Sequence, residues 1–298
     1  MATAALSLVL LLQVFGADLT GVAQASVRPR ECGSSRPTVW ERAREPHLRA
    51  YCDALARGFG KLATAPREAK AEAQRATELS PERAAPFVLL GRAELATGAY
   101  EAARLAFERA RAIDARALDE PNALHAHAIA LFRSGREDEA LASYRALVPR
   151  IDLLTGADRR VRVLVEAAEL AMSRGPEHAD LALTWLRRAR REPLREAQPR
   201  VLAMLALVLD RRGDAEQVSV LLEEVRRLGG RKAVEAFASQ GVETKEASAV
   251  LALVEEGANP RAAAESWERY LAGARAPSAI EHARTRLDRL TPAARAAR

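Results

Sequence analysis

The sequence predicts an all-α protein built from consecutive helical hairpins. Alanine supplies 65 of the 298 residues, against 16 glycines and 14 prolines, and alanine is the strongest helix former. After residue 45, apolar residues recur at i, i+3, i+4 and i+7 in blocks separated by Gly, Pro or Asp, which is the pattern of amphipathic helices joined by short turns. No block has the period of two that a half-buried strand requires. With 49% apolar and 29% charged residues, the composition excludes a disordered or collagen-like chain.

The N-terminal segment has the features of a signal peptide. Residues 4–15 are apolar, but this stretch is too short for the ~20 residues that a membrane-spanning helix needs. Ala23 and Ala25 stand two residues apart, the small-residue spacing that precedes signal cleavage. We predict a signal peptide over residues 1–25, cleaved after Ala25 or alternatively after Ala23, no membrane span and a soluble exported protein.

Both cysteines lie in the predicted mature chain. Cys32 precedes the first helix and Cys52 falls within it, and an oxidising compartment allows them to pair. We predict a disulfide that ties an N-terminal leader, residues 26–45, to the first helix. The alternative is two separate buried thiols. A redox-active pair is disfavoured because the C-x-x-C spacing is absent.

The clearest repeated unit spans residues 84–114. Its first helix, turn and second helix carry the pattern Phe87, Leu90, Gly91, Leu95, Gly98, Tyr100, Ala103, Phe107 and Ala110. This pattern resembles the tetratricopeptide repeat, a helix-turn-helix unit of 34 residues. Small residues such as Gly91 allow two helix backbones to approach closely, and Gly98 suits the left-handed conformation that ends a helix.

Similar units begin near residues 50, 121, 161, 199 and 243. The longest interval, between the last two, is expected to hold an extra short helix over residues 231–239, and a last helix is expected over 278–290. The resemblance therefore implies a right-handed superhelical solenoid of about six hairpins with an extra C-terminal helix, spanning residues 46–292. Residues 293–298 are expected to be a disordered tail.

Motifs for catalysis or metal binding are absent from the sequence. It contains no phosphate-binding GxxxxGK[ST] loop, no GxSxG, no HExxH and no Cys/His cluster at metal-ligand spacing. His125 and His127 are two residues apart on a predicted helix and point to different sides, so they cannot chelate one ion, and we expect them on the surface. We predict no catalytic residue, no metal and no cofactor.

The family resemblance also implies a binding surface. In tetratricopeptide arrays the ligand usually lies in the concave groove lined by the first helix of each unit. Transferring those helix positions to this sequence selects the polar residues Arg92, Asn122, His125, Arg133, Arg162, Glu169, Arg200, Asp210 and Arg211. The Lys/Asn clamp that some family members use for a C-terminal carboxylate is not reproduced, because Ala54 and Gly58 occupy the corresponding positions.

These features predict a non-catalytic protein-protein interaction scaffold in the bacterial cell envelope, periplasmic or secreted. Its partner would be a peptide or helix. The net charge favours an acidic partner, because removal of the signal segment with its one acidic residue raises that charge from +6 to +7. The C-terminal unit, with Trp267 and Tyr270, resembles the closing repeat of periplasmic envelope-coordination proteins. Alternatives are a self-associating structural module, an enzyme without a recognisable motif and a binder of anionic polymers. Nucleic acid is disfavoured because aromatic residues are scarce.

Overall fold

The computed structural model describes residues 32–33, 46–237 and 244–296. All the regular secondary structure in these residues is α-helix or 3-10 helix, so the fold is all-α there. The chain divides into two compact units, residues 1–150 (unit 1) and 151–298 (unit 2). The predicted signal segment, residues 26–31 and 34–45 of the predicted leader, and residues 238–239 of the predicted short helix lie outside the described residues. Within the described ranges, no helix combines the length and the apolar character needed to cross a membrane.

The described residues of unit 1 form three helical hairpins. Its helices are α1 (Leu48–Lys61), α2 (Pro66–Leu79), α3 (Ala85–Ala96), α4 (Tyr100–Ile113), α5 (Pro121–Arg133) and α6 (Glu137–Leu147). Helices α1 and α2, α3 and α4, and α5 and α6 pack as pairs, and each pair also packs on the next one. This is the arrangement that the repeat pattern predicts.

Unit 2 continues with hairpins and adds two helices. Its helices are α7 (Ala157–Arg174), α8 (Ala179–Arg191), α9 (Gln198–Arg211), α10 (Ala215–Arg227), α11 (Gly230–Ala236), α12 (Glu246–Glu255), α13 (Pro260–Leu271) and α14 (Pro277–Ala296). Helices α7 and α8, α9 and α10, and α12 and α13 form hairpins. The short α11 occupies the interval where an extra helix was predicted. The last helix, α14, packs on α13 and extends to Ala296, beyond the residue 292 at which the solenoid was expected to end.

Small residues bring the two helices of a hairpin together. At Gly91 of α3, an added Cβ atom would lie 2.9 Å from three carbon atoms of the Phe107 ring on α4. This distance is below any normal carbon contact, so the phenyl ring occupies the space that a larger residue would fill. Between the helices, Gly98 has φ = 79°, the left-handed conformation predicted for the turn.

Alanine also lines the core between hairpins. Ala69, Ala73 and Ala76 on one face of α2 are fully buried, in a cluster with Leu89 of the next hairpin. A fully buried alanine stripe lets neighbouring helices approach closely, and the larger side chains fill the space beside it. The alanine content of the sequence is therefore explained by packing as well as by helix propensity.

The predicted disulfide is confirmed. Cys32 and Cys52 are bonded, with 5.6 Å between their Cα atoms and a sequence separation of 20. Cys52 lies in α1, so the bond attaches the described residues 32–33 to the first helix. The alternative of two separate thiols is wrong.

Candidate functional site

The polar residues predicted to line a groove all lie on the first helix of a hairpin. In unit 1, α3 carries Arg92 and α5 carries Asn122, His125 and Arg133. In unit 2, α7 carries Arg162 and Glu169, and α9 carries Arg200, Asp210 and Arg211. Their contacts differ between the two units.

The two unit 1 arginines lie over aromatic rings of preceding helices. The guanidinium carbon of Arg92 is 5.6 Å from the centre of the Phe59 ring on α1, and that of Arg133 is 5.7 Å from the Tyr100 ring on α4. A guanidinium stacked on a ring is attracted to the π electrons, and its N–H groups still point outward in its own plane. Arg92 is 3% exposed, whereas Arg133 is half-buried.

Asn122 belongs to the start of α5. The carboxylate of the N-cap residue Glu120 accepts hydrogen bonds from the backbone N–H groups of Asn122 and Ala123, at 3.0 and 2.9 Å, and from the side-chain amide of Asn122. This carboxylate satisfies helix-end N–H groups and complements the positive end of the helix dipole. The amide of Asn122 is therefore already used to fix its own helix.

The two histidines of α5 are buried, and the expectation that they lie on the surface is wrong. His125 is 5% exposed and packs edge-on against the ring of Tyr144, whereas His127 is 2% exposed and packs against Phe107. The reason is that α5 is packed between α4 and α6. Nδ1 of His127 lies 3.5 Å from Oγ of Ser143, and burial lowers the pKa of His127 to about 4.

In unit 2, Glu169 and Arg200 form a buried ion pair. An Nη atom of Arg200 donates to the carboxylate of Glu169 at 2.9 Å, and the two side chains are 3% and 0% exposed. The other carboxylate oxygen accepts hydrogen bonds from the backbone N–H and the hydroxyl of Thr244, at 3.1 and 2.8 Å. Both oxygens of Glu169 are therefore engaged, and the pair joins α7, α9 and the residues that precede α12.

Arg211 forms a second buried cluster. It donates to Glu246 of α12 at 2.6 Å and to the hydroxyl oxygen of Tyr270 of α13 at 3.0 Å, and that hydroxyl donates to Glu246 at 3.2 Å. Burial and the neighbouring carboxylate of Glu246 raise the pKa of Tyr270 above its usual range, so the phenol remains protonated and available as a donor.

Asp210 holds the last helix in place. Its carboxylate accepts a hydrogen bond from Nε2 of His282 at 2.6 Å and another from Arg286 at 3.1 Å, and both partners lie on α14. Although burial opposes ionisation, these two partners lower the pKa of Asp210. Arg286 also donates to Glu256 at 2.8 Å, and that carboxylate accepts the indole N–H of Trp267 at 2.9 Å. An Asp–His pair also occurs in catalytic triads, but here an arginine shares the carboxylate and the network connects helices.

Four of the five unit 2 residues predicted for a groove are therefore internal ion-pair partners, namely Glu169, Arg200, Asp210 and Arg211. Sequence reasoning missed the residues that complete these clusters, which are Thr244, Glu246, Tyr270, His282 and Arg286. They lie 35 to 76 residues away in sequence from the predicted residues that they contact. No local spacing could have indicated them.

Arg162 is the fifth of the unit 2 residues predicted for a groove, and two of its contacts are an aromatic ring and a carboxylate. Its guanidinium carbon lies 5.2 Å from the ring of Phe237, and one of its nitrogen atoms lies 3.2 Å from Asp158, one turn earlier on α7. The Arg162 side chain is 22% exposed. Arg162 thus shares with Arg92 and Arg133 the stacking of a guanidinium on an aromatic ring.

Metal-binding geometry is not found in the part of the chain that the structure describes, where no three His, Cys, Asp or Glu side chains are grouped to hold an ion. A cleft of about 350 Å³ in unit 1 is lined by Leu118, Leu124 and His127, and one of about 320 Å³ in unit 2 is lined by Met172 and Val208 among others. The unit 1 cleft is also lined by Ser143, whose Oγ lies 3.5 Å from Nδ1 of His127, at the outer limit of a hydrogen bond.

The described residues form a series of packed helical hairpins. No protein-family model and no curated protein matches its sequence. Among solved structures, one reported in a functional characterisation of PilF from Pseudomonas aeruginosa is similar at 16% identity and a TM-score of 0.48, over 75% of this chain and 91% of that one. A chain of the Cut9–Hcn1 heterotetramer of APC/C is similar at 14% identity and a TM-score of 0.36, over 80% of this chain and 52% of that one.

Proposed function

We propose that this protein is a non-catalytic protein-protein interaction scaffold that holds an extended peptide or a partner helix. The observation that carries the proposal is the repeat architecture within each unit, in which neighbouring hairpins pack on one another and their first helices carry side chains at corresponding positions. Extended surfaces of this kind suit extended ligands.

The proposed contacts are Arg133 on α5 of unit 1 and Arg162 on α7 of unit 2. Of the other residues predicted for a groove, Arg92 and His125 are buried, the amide of Asn122 binds Glu120, and four are used in the ion pairs of unit 2. Arginine on an aromatic ring is a well-suited contact residue, since the ring fixes the guanidinium plane and the N–H edge can donate to backbone carbonyls or carboxylates. We therefore take Arg133 and Arg162, which are half-buried, as the main recognition residues.

The proposed location is the bacterial cell envelope, after removal of residues 1–25. Two observations support export: the small-residue spacing at Ala23 and Ala25 and the disulfide between Cys32 and Cys52. Intact-mass analysis of protein purified from its native compartment tests this. The expected mass lacks residues 1–25 and two hydrogen atoms, whereas a full-length, reduced chain would exclude export.

Site-specific photo-crosslinking in the native host tests the binding surface. A benzoylphenylalanine side chain is introduced in place of Arg133 or Arg162, and in place of Leu105 as a matched control. Leu105 is 52% exposed on α4, the second helix of its hairpin. We expect the first two positions to give one discrete adduct with the same protein, identified by mass spectrometry, and Leu105 to give none.

An adduct at Leu105 but not at Arg133 or Arg162 would move the binding surface to the second helices. Adducts between two copies of this chain would favour the self-associating module instead. Light scattering over a concentration series gives an independent measure, because a scaffold of this kind needs no self-association to bind. Turnover by the purified protein would contradict a non-catalytic role.

A further inference from the structure

One end of unit 2 carries an excess of positive charge that internal ion pairs do not neutralise. Five cations lie there, and we name this surface the basic end: Arg187, Arg191, Arg195, Arg227 and Lys232. All five are exposed, and none has an acidic partner within 4.0 Å among the described residues. Arg191 and Arg227 lie in the last turns of α8 and α10, Arg187 lies one turn earlier in α8, Arg195 is in the 3-10 turn before α9, and Lys232 is in the first turn of α11.

The fold brings these segments to the same end of unit 2. Helices α8 and α10 both pack on α9, and Arg190 near the end of α8 lies 3.4 Å from Glu224 near the end of α10. Helix α11 packs on α10 and on the 3-10 turn Arg195–Ala197. The cations that are separated in sequence therefore share one surface.

Most acidic groups at this end are already paired with other arginines. Glu192 binds Arg160, Glu224 binds Arg190, and Glu223 binds Arg226. Glu196, next to Arg195, is exposed and has no such pair in the described residues, but one carboxylate does not balance five cations, so the basic end keeps an excess of positive charge for the solvent or for a ligand.

Helix-dipole compensation explains only part of this arrangement. Basic residues stabilise the negative C-terminal end of a helix, which accounts for Arg191 and Arg227. Lys232 lies in the first turn of α11 and Arg195 opens a 3-10 turn, where the dipole disfavours positive charge. These two residues indicate a use for the charge outside the helices.

The basic end also has an apolar component. Leu228, directly after Arg227, is 46% exposed, and the exposed Pro193 and half-buried Leu194 lie in the turn that follows α8. No exposed aromatic residue lies among the five cations, so the stacking platform that single-stranded nucleic acid uses is missing from this surface. Cations around an aliphatic side chain are instead complementary to an acidic protein segment.

We propose that the basic end of unit 2 binds an acidic protein segment that inserts a large apolar side chain beside Leu228. The carboxylates of the segment pair with the exposed arginines, and its apolar side chain covers the exposed leucine. The residues that form this surface are not among the contacts proposed above, so it rests on the scaffold function and deepens it by naming a second contact and its chemistry. Either surface can fail without the other.

Fluorescence anisotropy with the full chain and defined peptides tests the proposal. The probe is a labelled dodecapeptide of repeated Glu-Glu-Leu, compared with versions in which all Glu become Gln or all Leu become Ser. The variant is Arg191→Gln/Arg227→Gln/Lys232→Gln. The matched control, Arg49→Gln/Arg67→Gln/Arg75→Gln, changes the net charge equally at three exposed positions of unit 1.

We expect the variant to weaken binding of the Glu-Glu-Leu peptide by about tenfold, the combined effect of three exposed ion pairs, and the control to leave it unchanged. Binding should weaken with added salt and with either altered peptide. Circular dichroism checks that all chains are equally helical.

Equal weakening by the control would show that only net charge matters and would overturn the proposal. So would a single-stranded oligothymidine that competes as well as the peptide, because this would make the surface a polyanion site. If the peptide does not bind the basic end but crosslinking at Arg133 and Arg162 still succeeds, only the proposal for the basic end is refuted.

Discussion

The buried ion pair between Arg200 and Glu169 gives a sharp test of how unit 2 is held together. The change is Arg200→Met, which keeps most of the side-chain volume and removes the guanidinium. It removes the cation that pairs with Glu169, whose side chain is 0% exposed and also accepts two hydrogen bonds from Thr244. An uncompensated buried charge is among the most destabilising changes in a protein.

The expected cost follows from the geometry. At 2.9 Å and an effective dielectric constant of about 20, the attraction between the two charges is about 6 kcal/mol before desolvation is counted. Breaking such a pair by removing one partner costs about 3 to 5 kcal/mol of unfolding free energy. The double variant Arg200→Met/Glu169→Leu removes both charges and should lie within about 1 kcal/mol of the wild type, or above it.

Urea unfolding followed by circular dichroism measures these differences. The exposed pair Arg261–Glu265, at 3.3 Å with side chains 70% and 61% exposed, is the control. Arg261→Met should cost about 0.3 to 0.5 kcal/mol, because solvent screens a surface pair. The reasoning is refuted if Arg200→Met costs less than about 1 kcal/mol, or if the double variant is as unstable as the single one.

Three further predictions concern unit 1. Gly91→Ala should destabilise by about 1 to 3 kcal/mol because its Cβ would overlap a phenyl ring, whereas Gly60→Ala, with nothing within 4 Å, should stabilise by up to about 1 kcal/mol in the same urea assay. Replacing Cys32 and Cys52 together by Ser should cost about 3 kcal/mol, since their bond closes a loop of 20 residues, and equal melting of both proteins would contradict this. For His127, whose folded-state pKa is lowered to about 4 against about 6.5 unfolded, the unfolded chain binds the extra proton between those values. Stability should therefore fall as the pH drops from about 6.5 towards 4, by about 2 kcal/mol at pH 5, and His127→Gln should lack this part of the pH dependence.

Much of the fold was predictable because its signals are local. The units expected to begin near residues 121 and 199 correspond to first helices that begin at Pro121 and Gln198. Gly98 in a turn and Gly91 at a helix contact could be read from one repeat of the pattern, since each is constrained by neighbours on the same hairpin.

The burial of polar side chains was not predictable in the same way. His125 was expected on the surface. It is buried against Tyr144 because α6, which carries Tyr144, packs on α5. Glu169 was expected in a groove, and it meets Arg200 and Thr244 instead. A helical position fixes which way a side chain points, but the partner that it meets comes from elsewhere in the chain.

By itself, the sequence determined that the chain is all-α, that it is divided into hairpins of about 34 to 44 residues, and that Cys32 and Cys52 can pair. These features depend on spacing along the chain, which residue order specifies directly. Only the tertiary structure decided which charged residues form ion pairs inside the protein and which stay exposed to a partner. The ion pair between Asp210 and Arg286, for example, joins residues that are 76 positions apart in sequence. Residues so far apart come into contact only when the helices pack on one another.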